Sequence, residues 1–102
     1  MYRQGDVLIV AVDGIPENAE QLERDNGLVV LAYGEATGHH HAVADPEAVL
    51  YDSDGDYYLR VAAGDGVALA HQEHSAIVLP PGDYRVARQR EYTPEKPRPV
   101  QD

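Results

Sequence analysis

The five histidines of this chain stand in two short clusters: His39, His40 and His41 in GEATGHHHAV (34–43), and His71 and His74 in AHQEH (70–74). On an extended strand side chains alternate, so His39 and His41 project from one face and His40 from the other. Such an H-x-H pair can aim two imidazole nitrogens at one ion, and metal–nitrogen distances of about 2.0–2.1 Å then require only a third ligand. The second cluster can supply it. His71 and Glu73 share a face if the strand continues, and His74 joins His71 if the chain bends there. The expected ligands are His39, His41 and His74, with His71 next; His40 has no assigned role. Histidine runs also occur on plain polar surface. What argues for a site is that no histidine of the chain lies outside the H-x-H and H-x-x-H stretches. Imidazole without thiolate suits zinc, and also copper, nickel or iron(II).

Three neutral imidazoles on zinc leave a fourth position for water, whose pKa falls to about 7. Glu35, Thr37 and Glu73 lie near the clusters in sequence and are the candidate catalytic groups, able to orient a bound hydroxide or accept its proton. A domain of 102 residues has little room for an elaborate pocket, so a small-molecule substrate is expected. Carbonic anhydrase-type hydration of carbon dioxide, a lyase reaction, is the most concrete candidate; hydrolysis of a small ester or lactone comes next. A non-enzymatic alternative is a metal-stabilised or pH-sensing interaction module. There all four of His39, His41, His71 and His74 would close the ion's shell, or their protonation would loosen an interface.

The elements that must position these residues read as strands. Val7–Val12 and Leu28–Tyr33 are apolar runs of strand length, and Tyr57–Ala62 and Tyr84–Glu91 alternate with period two. His39–Val43, Ala48–Tyr51, Val67–Ala70 and Ser75–Leu79 complete about eight short strands, separated by turn signals at Asn26-Gly27, Asp52–Gly55 and Gly64–Gly66. IPENAEQLERDNG (15–27) can form one or two helical turns, with Leu22 the only large apolar residue at its centre. The fold class is all-β: a single small antiparallel barrel or sandwich spanning 1–92, followed by a Pro-rich tail at 93–102. DSDG (52–55) has a passing likeness to a calcium loop but lacks the later ligands, and reads as a hairpin turn.

The formal net charge of −10 disfavours binding to nucleic acid or an anionic membrane. Cysteine is absent, which excludes disulfides, thiolate metal sites and a cysteine nucleophile. With neither Phe nor Trp the core is thin, and a homo-oligomer is expected, with metal ligands drawn from one chain or from two. No apolar leader segment or spanning run appears, so the expected location is cytoplasmic.

GEATGHHHAVADPEAVLYDSDG (34–55) resembles the first cupin motif through Gly34, His39, His41, Glu47 and Gly55, with each gap about one residue from the usual spacing. LPPGDYR (79–85) resembles part of the second motif, with Arg85 standing where a histidine is expected. The resemblance covers about half the chain. It implies a small β-barrel with a metal at its mouth, held by His39, His41 and Glu47, with His71 or His74 replacing the missing histidine. It also implies iron(II) oxygen chemistry as an alternative to zinc.

Overall fold

Strands with one apolar face are stable only when two such faces meet, and this chain satisfies that requirement with two antiparallel sheets. The computed structural model describes residues 1–34 and 39–88. In chain order the strands are β1 (Tyr2–Gln4), β2 (Val7–Val12), β3 (Glu20–Gln21), β4 (Val29–Tyr33), β5 (His40–Val43), β6 (Ala48–Ser53), β7 (Asp56–Val61), β8 (Val67–Ala70), β9 (Ile77–Leu79) and β10 (Gly82–Arg88). One sheet has the order β1-β2-β10-β7-β6-β3, the other β4-β5-β8-β9. The all-β reading holds, as two open sheets and not as a closed barrel.

Alternation decides which side chains meet between the sheets. Val7 and Ile9, Leu50, Leu59 and Val61, and Tyr84 and Val86 are buried in the first sheet; Val29, Leu31, Val43, Leu69 and Leu79 are buried in the second. His41 lies two residues before Val43 on β5 and shares its side of the strand, which brings an imidazole to one end of this core.

The turns follow their local chemistry. Asp54 and Gly55 both have positive φ, 54° and 93°, the signature of a two-residue type I′ hairpin, here joining β6 to β7. The Gly55 N–H donates to Asp52 Oδ1 at 2.9 Å. Asn26 and Gly27, with φ of 57° and 83°, make the same kind of turn between Asp25 and Leu28.

Two expectations need correction. No helical turn forms over 15–27. Leu22 alone gives no apolar stripe for a helix to bury, so the segment lies along the sheet edge instead. Glu20 and Gln21 pair with Asp52 and Tyr51, and the Leu22 N–H donates to Leu50 O at 2.8 Å. The count also rises from eight to ten among the described residues, because β1 and β3 are too short to show a period. The proposed tail, 93–102, lies outside the described residues.

Arg24 ties this edge to the β5–β6 turn. Its guanidinium donates to Gly27 O, Ala48 O, Ala44 O and Asp45 O, at 3.1, 3.1, 3.3 and 2.7 Å. Arg24→Ala is expected to lower the unfolding free energy in urea by about 1–2 kcal/mol, the scale of a few charge-assisted bonds at a part-exposed site. Arg24→Lys should recover little of it, since an ammonium cannot fork to four carbonyls.

Candidate functional site

The β5–β8 pairing aligns Ala42 with Ala70 and Val43 with Leu69. The same register carried one step further brings His41 opposite His71. β8 ends at Ala70, and the chain bends through 71–76, which turns His74 back toward His71. The two histidine clusters therefore meet within one chain. Ring centres are 5.6 Å apart for His39 and His71, 4.3 Å for His41 and His71, 4.7 Å for His71 and His74, and 6.1 Å for His41 and His74. Two imidazoles sharing a tetrahedral ion have ring centres roughly 5 Å apart, given metal–nitrogen bonds of about 2.0–2.1 Å. The observed spacings bracket that value. As the side chains stand, no group of three or more His, Asp or Glu among the described residues is arranged to hold an ion, so chelation requires ring rotation. His74 is exposed and His39 half-buried, which leaves these two rings room to rotate.

His41 is different: it is 2% exposed, and a network that the sequence did not announce fixes its ring. Gln4, itself buried, donates through Nε2 to Leu69 O and to Ser75 O, each at 2.9 Å. With both amide hydrogens spent, its Oε1 is an acceptor, and it lies 2.8 Å from His41 Nδ1. His41 therefore carries its proton on Nδ1, leaving the Nε2 lone pair free. That nitrogen faces Asp6 Oδ1 at 3.6 Å, too far for a hydrogen bond. Two acceptors confront each other there, an arrangement that a cation relieves. Asp6 is held from its other side by Arg88, whose Nε donates to Oδ2 at 2.8 Å.

Gly5 and Asp6 form the turn between β1 and β2, and Gln4 ends β1 just before it. Gly5 has φ of 61°, and a Cβ there would lie 2.8 Å from His74 Nε2 and 3.2 Å from His41 Cε1. The turn thus forms the floor beneath two imidazoles. Gly5→Ala is expected to displace the exposed His74 ring and weaken cation binding several-fold, with a modest loss of stability from the left-handed backbone. Titration of the variant with zinc checks this.

The remaining expected residues separate clearly. His71 Nδ1 accepts the Glu73 N–H at 3.0 Å, so neutral His71 keeps its proton on Nε2 and presents a donor to the cluster. Glu73 is exposed, with Oε2 3.7 Å from His39 Nε2. His40 points off the shared face. Its N–H donates to Gln72 Oε1 at 2.8 Å, and its Nδ1 lies 3.4 Å from Gln72 Nε2. Glu35 and Thr37 lie outside the described residues.

Burial pushes the His41 pKa down from 6.5 to about 4, helped by the charges of His71 and His74 and opposed by Asp6. Burial, followed by His74 and His39, lowers that of His71 as well. Both rings are neutral at pH 7; the His41 Nε2 lone pair is open, while the His71 Nδ1 lone pair already accepts the Glu73 N–H. In the unfolded chain His41 takes a proton as pH falls through 6.5; in the folded protein it does so only near 4. Between those values the unfolded state binds more protons, so stability falls as the pH falls. The urea midpoint of metal-free protein is expected to drop from pH 7 to pH 4.5, and to drop less in His41→Asn.

Residues 3–89 match the family described as a domain of unknown function (DUF8820). No curated protein and no solved structure matches the chain. The cupin resemblance is overturned by this result, since the family that matches is a different one. The geometry agrees. Glu47 is exposed in the turn beyond the far end of β5 from the histidines, its N–H bound to Asp45 Oδ1 at 2.7 Å. Arg85 is exposed and pairs with Asp56. The ligand role of Glu47, which only the resemblance carried, falls with it. Among the described residues no helix is long and apolar enough to cross a membrane.

Proposed function

The chain belongs to the DUF8820 family, and we propose that its histidine cluster binds one divalent transition metal ion, zinc foremost, to activate a water for hydration or hydrolysis of a small substrate. One observation carries this reading: the buried His41, its Nδ1 proton committed to Gln4, points a free Nε2 at the Asp6 carboxylate, with the His71 and His74 rings beside it. Holding a histidine in one tautomer through its second nitrogen is the usual support for a metal ligand.

His39, His41 and His74 hold the ion in this reading, and Asp6 adds negative charge beside it. Zinc so bound supplies a hydroxide at neutral pH. His71, with its proton on Nε2, donates a hydrogen bond to an oxygen in the cluster. Glu73, beside His39 and open to solvent, would be the carboxylate placed to accept a proton and pass it outward. A cytoplasmic location and a homo-oligomer belong to the same reading, but the site needs no second chain, because both clusters come from one.

The test is elemental analysis of untagged protein purified without chelator, followed by zinc titration of the metal-free form. About one zinc per chain supports the reading and leads to assays of carbon dioxide hydration and of activated-ester hydrolysis. Metal-free protein that also fails to take up zinc in the titration overturns it.

A further inference from the structure

A second feature of the described residues lies apart from the histidines, none of which line it. A cleft of about 680 Å3 opens beside β4, at the end of β10 and the β6–β7 hairpin. That volume is in the range of small-molecule sites, which pair an apolar lining with a few placed polar groups. Its floor is core: Val7, Leu31, Leu50 and Val86. Tyr33 and Tyr57 stand at its mouth, 53% and 38% exposed, offering ring faces with polar tips.

The charged groups around it are unequal. Arg85 and Arg88 are two of only five arginines among the described residues, and no lysine lies among those residues. Of the lining carboxylates, Asp25 accepts from the Tyr33 hydroxyl, Asp56 faces Arg85 at 3.4 Å across exposed surface, and Glu23 is exposed. Arg88 is shared. It lines the cleft and also holds Asp6, the carboxylate opposite His41.

We infer that this cleft binds a small amphipathic carboxylate, with its apolar part on the Val7–Leu31–Leu50–Val86 floor and its carboxylate on Arg88. A planar guanidinium recognises a carboxylate through paired hydrogen bonds, and an apolar floor ending at such a group selects a molecule with a charged head and a short apolar body. The incoming carboxylate competes with Asp6 for Arg88. Asp6 is then less neutralised beside His41, and the cation affinity of the histidine cluster rises. By linkage, the cation tightens carboxylate binding by the same factor. This coupling rests on the metal reading above; occupation of the cleft does not.

The test uses full-length, metal-free protein and the fluorescent anion anilinonaphthalene sulfonate, displaced by octanoate or by octan-1-ol. Octanoate is expected to displace the dye at concentrations at least tenfold lower than octanol, and Arg88→Ala should erase that preference. The wild-type comparison of acid with alcohol needs no variant and stands even if Arg88→Ala fails to fold. Equal displacement by the two, or none, overturns the inference. Zinc titration with and without octanoate is expected to show about fivefold tighter zinc. Zinc affinity unchanged by saturating octanoate overturns the exchange at Arg88. Protein that binds octanoate but no zinc overturns the metal reading alone.

Discussion

His41→Ala is expected to abolish stoichiometric zinc binding, weakening affinity by a factor of at least about 100, while His40→Ala leaves it within about twofold. His41 is the one imidazole in the cluster that the fold has already fixed: buried, with its tautomer set by Gln4. The two other ligands, His39 and His74, are half-buried and exposed, and each must lose rotamer freedom when it binds. Removing the fixed ligand leaves only ligands that must all be ordered at once. The variant also leaves Gln4 Oε1 without its partner, at a cost of about 1–3 kcal/mol, so circular dichroism at the titration temperature must accompany the binding curve. Folded His41→Ala protein with wild-type zinc affinity would show that the cluster is ordinary polar surface.

Gln4→Leu is expected to cost about 2–4 kcal/mol of stability and to weaken zinc about 10- to 100-fold. Leucine is close in size, so packing changes little. The loss is chemical: the carbonyls of Leu69 and Ser75 lose a buried donor, and the His41 Nδ1–H loses its acceptor. The tenfold to hundredfold range is typical for removing the group behind a metal-bound histidine. Gln4→Glu separates the two roles. A carboxylate still accepts from Nδ1 but donates to neither carbonyl, so stability should fall while zinc affinity recovers relative to Gln4→Leu. Urea unfolding and chelator-competition titrations read the two quantities independently. If Gln4→Leu destabilises the protein yet binds zinc like the wild type, Gln4 is a structural bridge and nothing more.

Much of the fold was legible because it is written locally. Val7–Val12 and Val67–Ala70 are strands with the boundaries their apolar runs suggest. Asn26-Gly27 and Asp54-Gly55 turn as their freedom at positive φ allows. The H-x-H alternation was legible only in part: β5 begins at His40, so His39 lies just outside the strand, and its ring meets that of His41 only through their shared neighbour His71. The same local reasoning misled at 15–27, where helical turns were possible but no apolar stripe existed to fasten them.

The sequence by itself determined eight of the ten strands among the described residues and the hairpin turns between them. Only the tertiary structure decided that the clusters meet, that the β1–β2 turn lies beneath them, and that His41 alone is buried and held. The physical reason is sequence distance. Gln4 reaches His41 across 37 positions, Leu69 across 65 and Ser75 across 71. No periodicity spans such separations; they are set by which strands pair and how the two sheets stack. Gln4 and Asp6 look like parts of a polar turn until the sheets close around them, and the cleft with its shared Arg88 exists only between elements that the chain visits far apart.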